Sequence, residues 1–168
     1  MNLARLVRPE LIKLEMATVN PPEAEPPLER ERYVWSVKDA VLKELAQLVA
    51  DGGKIGSCNK LYLHLLHREK KASTGLVRGI AIPHVRTIHA REMIFAFARS
   101  TPGVEFDSLD GNPAHLFFVI VAPPYDDHLY LKIYKQMAQA FHATDVREEF
   151  LAATEPGEVI RAMKLMGD

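Results

Sequence analysis

Cysteine is almost absent from this chain: Cys58 is the only one in 168 residues. A lone thiol excludes an internal disulfide and a four-cysteine metal site, and it fits a reducing compartment. Long apolar runs are missing as well. The most apolar stretch, Leu116 to Ala122, has seven residues, where a membrane span needs about 20. Met1-Asn2-Leu3-Ala4-Arg5 leads into a mixed segment, so no secretory signal is expected and the chain reads as cytoplasmic. Neither sign of charge prevails, with 21 Lys+Arg against 22 Asp+Glu. A general nucleic-acid binder needs a cationic excess to displace counterions, and the cluster Arg68-Glu69-Lys70-Lys71 is too small and mixed to supply it. Nucleotide fingerprints are missing too. Thr74-Gly75-Leu76-Val77-Arg78-Gly79 has neither Walker nor dinucleotide spacing, and no Gly-x-Ser-x-Gly turn is present.

What is there suits one globular domain spanning residues 1–168. Hydrophobic residues make up 48% of the chain, which excludes disorder, and a chain of this length builds a core without metals or disulfides. An N-terminal segment, Leu3 to Thr18, has apolar residues suited to pairing at a sheet edge. Asn20-Pro21-Pro22-Glu23-Ala24-Glu25-Pro26-Pro27 then reads as an exposed loop, because proline removes amide donors.

From Ser36 the apolar spacing turns helical, with Ser36 and Asp39 as a cap box, Val37, Val41, Leu45, Leu48 and Val49 on one face, and Gly52-Gly53 as the stop. Ser57 caps a second helix carrying Leu61, Leu65 and Leu66. Three short apolar runs follow as strands: Gly79 to Pro83, Met93 to Ala98, and Leu116 to Ala122. Leu129, Ile133, Met137 and Phe141 predict a helix; Asp145 with Glu148, and Thr154 with Pro156, start two more. The class is α/β: a mixed parallel/antiparallel sheet flanked by helices on both faces.

Imidazole titrates near neutrality and serves as base, ligand or phosphoryl acceptor, so the seven histidines need sorting. His84 follows an apolar run and Pro83, and thus projects from a strand end, where α/β folds gather ligands. Periodicity alone favours a plainer reading, a loop histidine bonded to a neighbouring carbonyl. His128 opens the helix after the strongest strand, where free amides suit anions; a polar cap residue is the plainer account. His64 and His67 stand three apart on a helix, but no third metal ligand has a recognisable spacing, so no metal site is expected. His89, His115 and His142 carry no constellation.

Taken together, Arg68-Glu69-Lys70, Ser73-Thr74-Gly75 and Gly79-Ile80-Ala81-Ile82-Pro83-His84-Val85-Arg86 closely resemble the signature of the fructose/mannitol-type enzyme IIA domains. These belong to the bacterial phosphoenolpyruvate-dependent sugar phosphotransferase system (PTS), and include its nitrogen-related regulatory branch. The resemblance continues through Gly103 to Gly111, the strand ending Ala122-Pro123, and Asp127-His128-Leu129. It leaves out a proline-rich stretch at about 20–32, which looks like an insertion. The family usually carries a further glycine in the Thr-Gly loop, where Val77-Arg78 stand here.

The resemblance implies His84 as phosphoryl acceptor, its tele nitrogen the candidate, with His128 and Arg68 as active-site partners. Thr74, Gly75, Arg78 and Arg86 are candidate phosphate contacts. It implies receipt of phosphate from the histidine-containing phosphocarrier protein and transfer to an enzyme IIB cysteine or use as a regulatory signal. No cofactor, metal, nucleic acid or membrane insertion is required. The other reading is a regulatory protein-binding module whose docking is switched by, or no longer needs, phosphorylation of His84.

Overall fold

A computed structural model describes residues 2–142 and 144–167, without the side chains of residues 144 and 145. Two short 3-10 turns, Leu3–Arg5 and Pro9–Leu11, lead into strand β1 (Ile12–Lys13). Helices α1 (Arg30–Asp51) and α2 (Cys58–Lys71) follow, then strands β2 (Ile80–Ala81), β3 (His84–Arg86), β4 (Ile94–Val104) and β5 (Ala114–Ala122). Helices α3 (Asp127–Ala140), α4 (Thr144–Ala152) and α5 (Pro156–Leu165) close the fold.

The sheet is mixed. β4 and β5 form its antiparallel centre, β1 joins β4 in parallel at one edge, and β2 and β3 join β5 in parallel at the other. The expected edge pairing of the N-terminal segment is therefore β1. Along β4 and β5, Phe97 lies opposite Phe118, and both rings pack on Phe150; Phe118 also meets Phe141. Strand side chains alternate faces, so Phe117 points the other way, against Phe106, whose ring also meets Lys38 of α1. Helices thus cover both faces. Apart from its half-buried His115, β5 is buried along its length, as expected for a run rich in Val, Ile and Phe.

Several local expectations need correction. α1 begins at Arg30, six residues before Ser36, because no proline interrupts the charged turn after Pro27. Ser36 is no cap: its hydroxyl donates to the Tyr33 carbonyl within the helix. Ser57 does cap α2, accepting from the Lys60 N–H, and α1 stops before Gly52. β4 runs past Ala98 to Val104. β1 pairs only with Phe97 and Ala98, and the Met16 N–H bonds the Arg99 carbonyl at 2.7 Å; past that point β4 runs free of the β1 ladder, which tolerates the irregularity around Pro102. Pro156 stands in the first turn of α5 as expected, but the N-cap is Glu155 rather than Thr154, whose N–H donates to the Glu158 carboxylate at 2.6 Å. The Asp145 side chain lies outside the described residues. Residues 20–27 carry no regular structure and are mostly exposed, while residues 30–32 belong to α1.

Candidate functional site

β2 and β3 are one strand interrupted. Ile80 is level with Leu116 and His84 with Ile120, the same offset along β5. Between them stands Pro83, which has no amide to give to a ladder. The break leaves the Ile82 carbonyl outside the sheet, and the His84 ring takes it: His84 Nδ1 lies 2.6 Å from Ile82 O. A carbonyl only accepts, so Nδ1 carries the proton and Nε2 keeps its lone pair.

Nε2 faces Arg68, in the last turn of α2, whose Nη2 is 3.4 Å away. Arg68 is itself held by the Ala72 carbonyl at 2.9 Å. The rings of Tyr130 and Tyr134, one turn apart on α3, pack against the imidazole with centroids at 5.5 and 4.9 Å. His84 is only 8% exposed. Burial pushes its pKa below the ordinary imidazole value; the Ile82 hydrogen bond opposes this and the Arg68 charge adds to it. The ring is therefore neutral at neutral pH, with its free nitrogen facing a guanidinium.

Beside it opens a cleft of about 590 Å³, lined by Arg68, Arg86, Lys71, His64, His67 and Tyr130 among others. Such a basic lining suits an anion, and Arg68 and Arg86 bring planar donors that match phosphate oxygens. His64 is tied to the Thr87 hydroxyl at 2.8 Å. Among the described residues no group of three His, Cys, Asp or Glu side chains is placed to hold a metal.

Behind the site lies a buried ion pair that sequence reasoning missed. Lys38 Nζ and Glu69 Oε1 are 2.9 Å apart, each side chain 1% exposed. The Glu69 carboxylate also accepts from the Thr74 N–H at 2.8 Å and the Thr74 hydroxyl at 2.6 Å. A signal was available. Lys38 falls on the apolar stripe with Val34, Val41 and Leu45, and Glu69 continues the Leu61, Leu65 stripe one turn on. Two opposite charges on the buried faces of consecutive helices have only each other to pair with.

The other expected site residues are dispersed. Arg86 lies on β3, lines the cleft, pairs with Asp127 and sits over the Tyr130 ring at 5.7 Å. Thr74 is buried and spends both donors on Glu69. Gly75 packs against the chain at Phe106–Ser108; a Cβ there would meet Ser108 Oγ at 2.8 Å. Both residues thus build the loop, Thr74 through its bonds to Glu69 and Gly75 through its close packing on Ser108. Arg78 precedes Ile80, at least four register steps from His84 along β5, roughly 13 Å of backbone. Its φ of 59° is left-handed, a conformation that glycine adopts most readily. His128 is exposed on the first turn of α3 and is not among the cleft's lining residues.

The family model described as "Phosphoenolpyruvate-dependent sugar phosphotransferase system, EIIA 2" matches residues 32–165. A fructose-specific EIIA component of Haloferax volcanii is 35% identical over 118 residues, 70% of this chain and 77% of its own. The nitrogen regulatory protein of Pseudomonas aeruginosa is 35% identical over 116 residues, 69% of this chain and 75% of its own. Against the fructose-specific EIIABC component of Bacillus subtilis, at 32% identity over 123 residues, the match takes 73% of this chain and spans only 19% of the relative. Among solved structures, the nitrogen regulatory protein IIA-Ntr of Neisseria meningitidis superposes with a TM-score of 0.80 at 25% identity, covering 97% of this chain and 99% of its own. The fold is shared with the mannitol enzyme IIA of Escherichia coli in its complex with phosphorylated enzyme IIB, at a TM-score of 0.69 and 19% identity, over 94% of this chain and 96% of its own. By its own residues 32–165, this chain belongs to the EIIA type 2 family of the phosphoenolpyruvate-dependent sugar phosphotransferase system.

Proposed function

We propose that the protein is a phosphocarrier of this system, with His84 Nε2 as the group that receives and hands on phosphate. One observation carries the reading: the Nδ1–H bond to Ile82 O leaves a neutral, nucleophilic Nε2 facing Arg68 in a basic cleft. The donor is the phosphohistidine of the histidine-containing phosphocarrier protein. Nε2 attacks its phosphorus, the donor's N–P bond breaks, and that electron pair returns to the donor's ring. The His84 ring gains positive charge as its P–N bond forms, which strengthens the Nδ1–H bond to Ile82. A thiolate of an enzyme IIB then attacks the phosphorus, and the pair of the His84 N–P bond returns to Nε2. Phosphoryl transfer depends mainly on alignment and on charge at the equatorial oxygens. Arg68 supplies such charge and Arg86 lies within the same cleft, while His128 stands exposed on the first turn of α3, outside the cleft's lining.

The whole of residues 1–168 acts as one such cytoplasmic domain in this proposal, with the proline-rich residues 20–32 as a surface addition. A regulatory role is the second reading, favoured by the similarity to two nitrogen regulatory proteins. There the phosphate on His84 switches docking to a target protein through its added charge. The test is to incubate the protein with phosphoenolpyruvate, enzyme I and the histidine-containing phosphocarrier protein, and weigh it intact. The expected result is one acid-labile phosphoryl gain, absent from His84→Ala. No gain, with donor proteins active on another IIA, removes the carrier reading and leaves the binding module.

A further inference from the structure

We infer that the buried Lys38–Glu69 ion pair is a positioning device that, through Thr74 and the Ile82 carbonyl, locks His84 in the Nδ1–H tautomer. Its kinetic consequence rests on the carrier reading of His84; its structural consequence does not.

The connection is a chain of short hydrogen bonds. Lys38 Nζ meets Glu69 Oε1 at 2.9 Å. Glu69 receives both donors of Thr74, at 2.8 and 2.6 Å. The Thr74 carbonyl accepts the Ile82 N–H at 3.0 Å. The Ile82 carbonyl accepts His84 Nδ1–H at 2.6 Å. The neighbours of Thr74 are pinned as well. Ser73 Oγ accepts from Lys38 Nζ at 3.3 Å and from the Gly75 N–H at 3.2 Å, and donates to the Phe106 carbonyl at 3.1 Å. Lys38 is fixed from its other sides by the rings of Trp35 and Phe106, at 4.9 and 4.8 Å.

Stability alone gives no reason for this arrangement. A buried ion pair costs much of what it returns, and a packed apolar pair of similar volume serves a core as well. An apolar pair cannot accept two donors from Thr74. The carboxylate does, and so sets where the chain turns toward Pro83. It also anchors the last turn of α2 one residue from Arg68. One device therefore fixes both groups that define the lone pair on Nε2: the carbonyl that requires a proton on Nδ1, and the guanidinium that Nε2 faces. The Arg68 contact, at 3.4 Å, is the longer of the two, so the carbonyl does most to set the tautomer. Lys38 and Glu69 are positioning residues. They act on His84 only through Thr74 and Ile82.

The test compares the full chain with three variants. Lys38→Met/Glu69→Gln removes both charges at similar volume; Thr74→Val removes one hydroxyl and leaves the ion pair; Thr74→Ser is the conservative rescue. Long-range ¹H–¹⁵N spectra of the unphosphorylated protein read the His84 tautomer directly. The wild type and Thr74→Ser are expected to show the Nδ1–H form alone. The double variant and Thr74→Val are expected to show a mixture, with phosphoryl acceptance slowed about 10–100-fold, the size of effect that outer-shell partners have on the groups they orient. Folded variants with the pure Nδ1–H tautomer and wild-type rates overturn the inference. Should the double variant not fold, Thr74→Val decides alone. Should the wild type accept no phosphate, the carrier reading falls, and the tautomer ratio still decides the positioning role.

Discussion

Two ion pairs flank His84, and they differ in almost everything but chemistry. Lys38–Glu69 is sealed, with 1% of each side chain exposed; Arg86–Asp127 stands in solvent, at 46% and 62%. The sealed pair has spent its valences on Thr74 and Ser73 and faces no ligand. Of the open pair, Arg86 lines the cleft, and its solvent-exposed partner leaves it exchangeable. Near this histidine, then, burial separates charges that build the site from charges left open to the cleft. Sequence shows both pairs only as Lys, Glu, Arg and Asp.

The largest effect is expected from breaking the sealed pair on one side. Lys38→Met leaves the Glu69 carboxylate buried without its cation and should cost about 3–5 kcal/mol in urea unfolding. Lys38→Met/Glu69→Gln should cost much less, and equal losses in the two would contradict the pairing. Next comes the guanidinium that faces His84 Nε2. Arg68→Ala should slow single-turnover phosphoryl transfer about 10²-fold, the usual cost of one preorganised donor, with little change in stability; an unchanged rate would remove Arg68 from the chemistry.

An intermediate case sharpens the contrast. Glu44 on α1 pairs with Lys13 at 2.8 Å, one partner largely covered and the other not. Burial opposes ionisation of Glu44, yet Lys13, the Thr18 hydroxyl and the N–H groups of Ala17 and Thr18 outweigh it. They bring its pKa from 4.5 to about 2. The folded pKa lies below the unfolded one, so this stabilisation is present above about pH 4.5 and is lost as pH falls toward 2. Glu44→Gln should flatten that acid limb in a stability-versus-pH series. The smallest effect belongs to the open pair: Arg86→Ala should change stability by less than about 1 kcal/mol, and a larger loss would erase the distinction drawn between the two.

How much of this was legible beforehand follows from what each feature depends on. Strand β5 and the apolar faces of α1 and α2 are local in pattern, and they were readable from spacing. The start of α1 was not, because a charged, solvated turn leaves no apolar mark. β3 is three residues long and follows a proline, so no run announces it. The position of His84 beside a strand break was legible from its neighbours Ile82 and Pro83. The identity of its protonated nitrogen was not, since that depends on a carbonyl freed by the strand break. The separation of Arg78 from His84 was hidden for a related reason: nearness along the chain becomes backbone distance once the segment is extended beside β5. Lys38 and Glu69 went unread because a charge on an apolar stripe makes sense only when its partner on the next helix is known.

The titration of His84 supplies a further check. Burial favours its neutral form, so phosphoryl acceptance should fall at acid pH with a midpoint below about 6.5, the ordinary imidazole value. A midpoint at or above that value would mean an exposed ring.

The most direct test of the central claim is to phosphorylate ¹⁵N-labelled protein and read which histidine nitrogen is bonded to phosphorus by ³¹P and ¹⁵N spectra. Phosphorus on Nε2 of His84, with Nδ1 still protonated, is the result this geometry predicts. Phosphorus on Nδ1, or on any other residue, contradicts it.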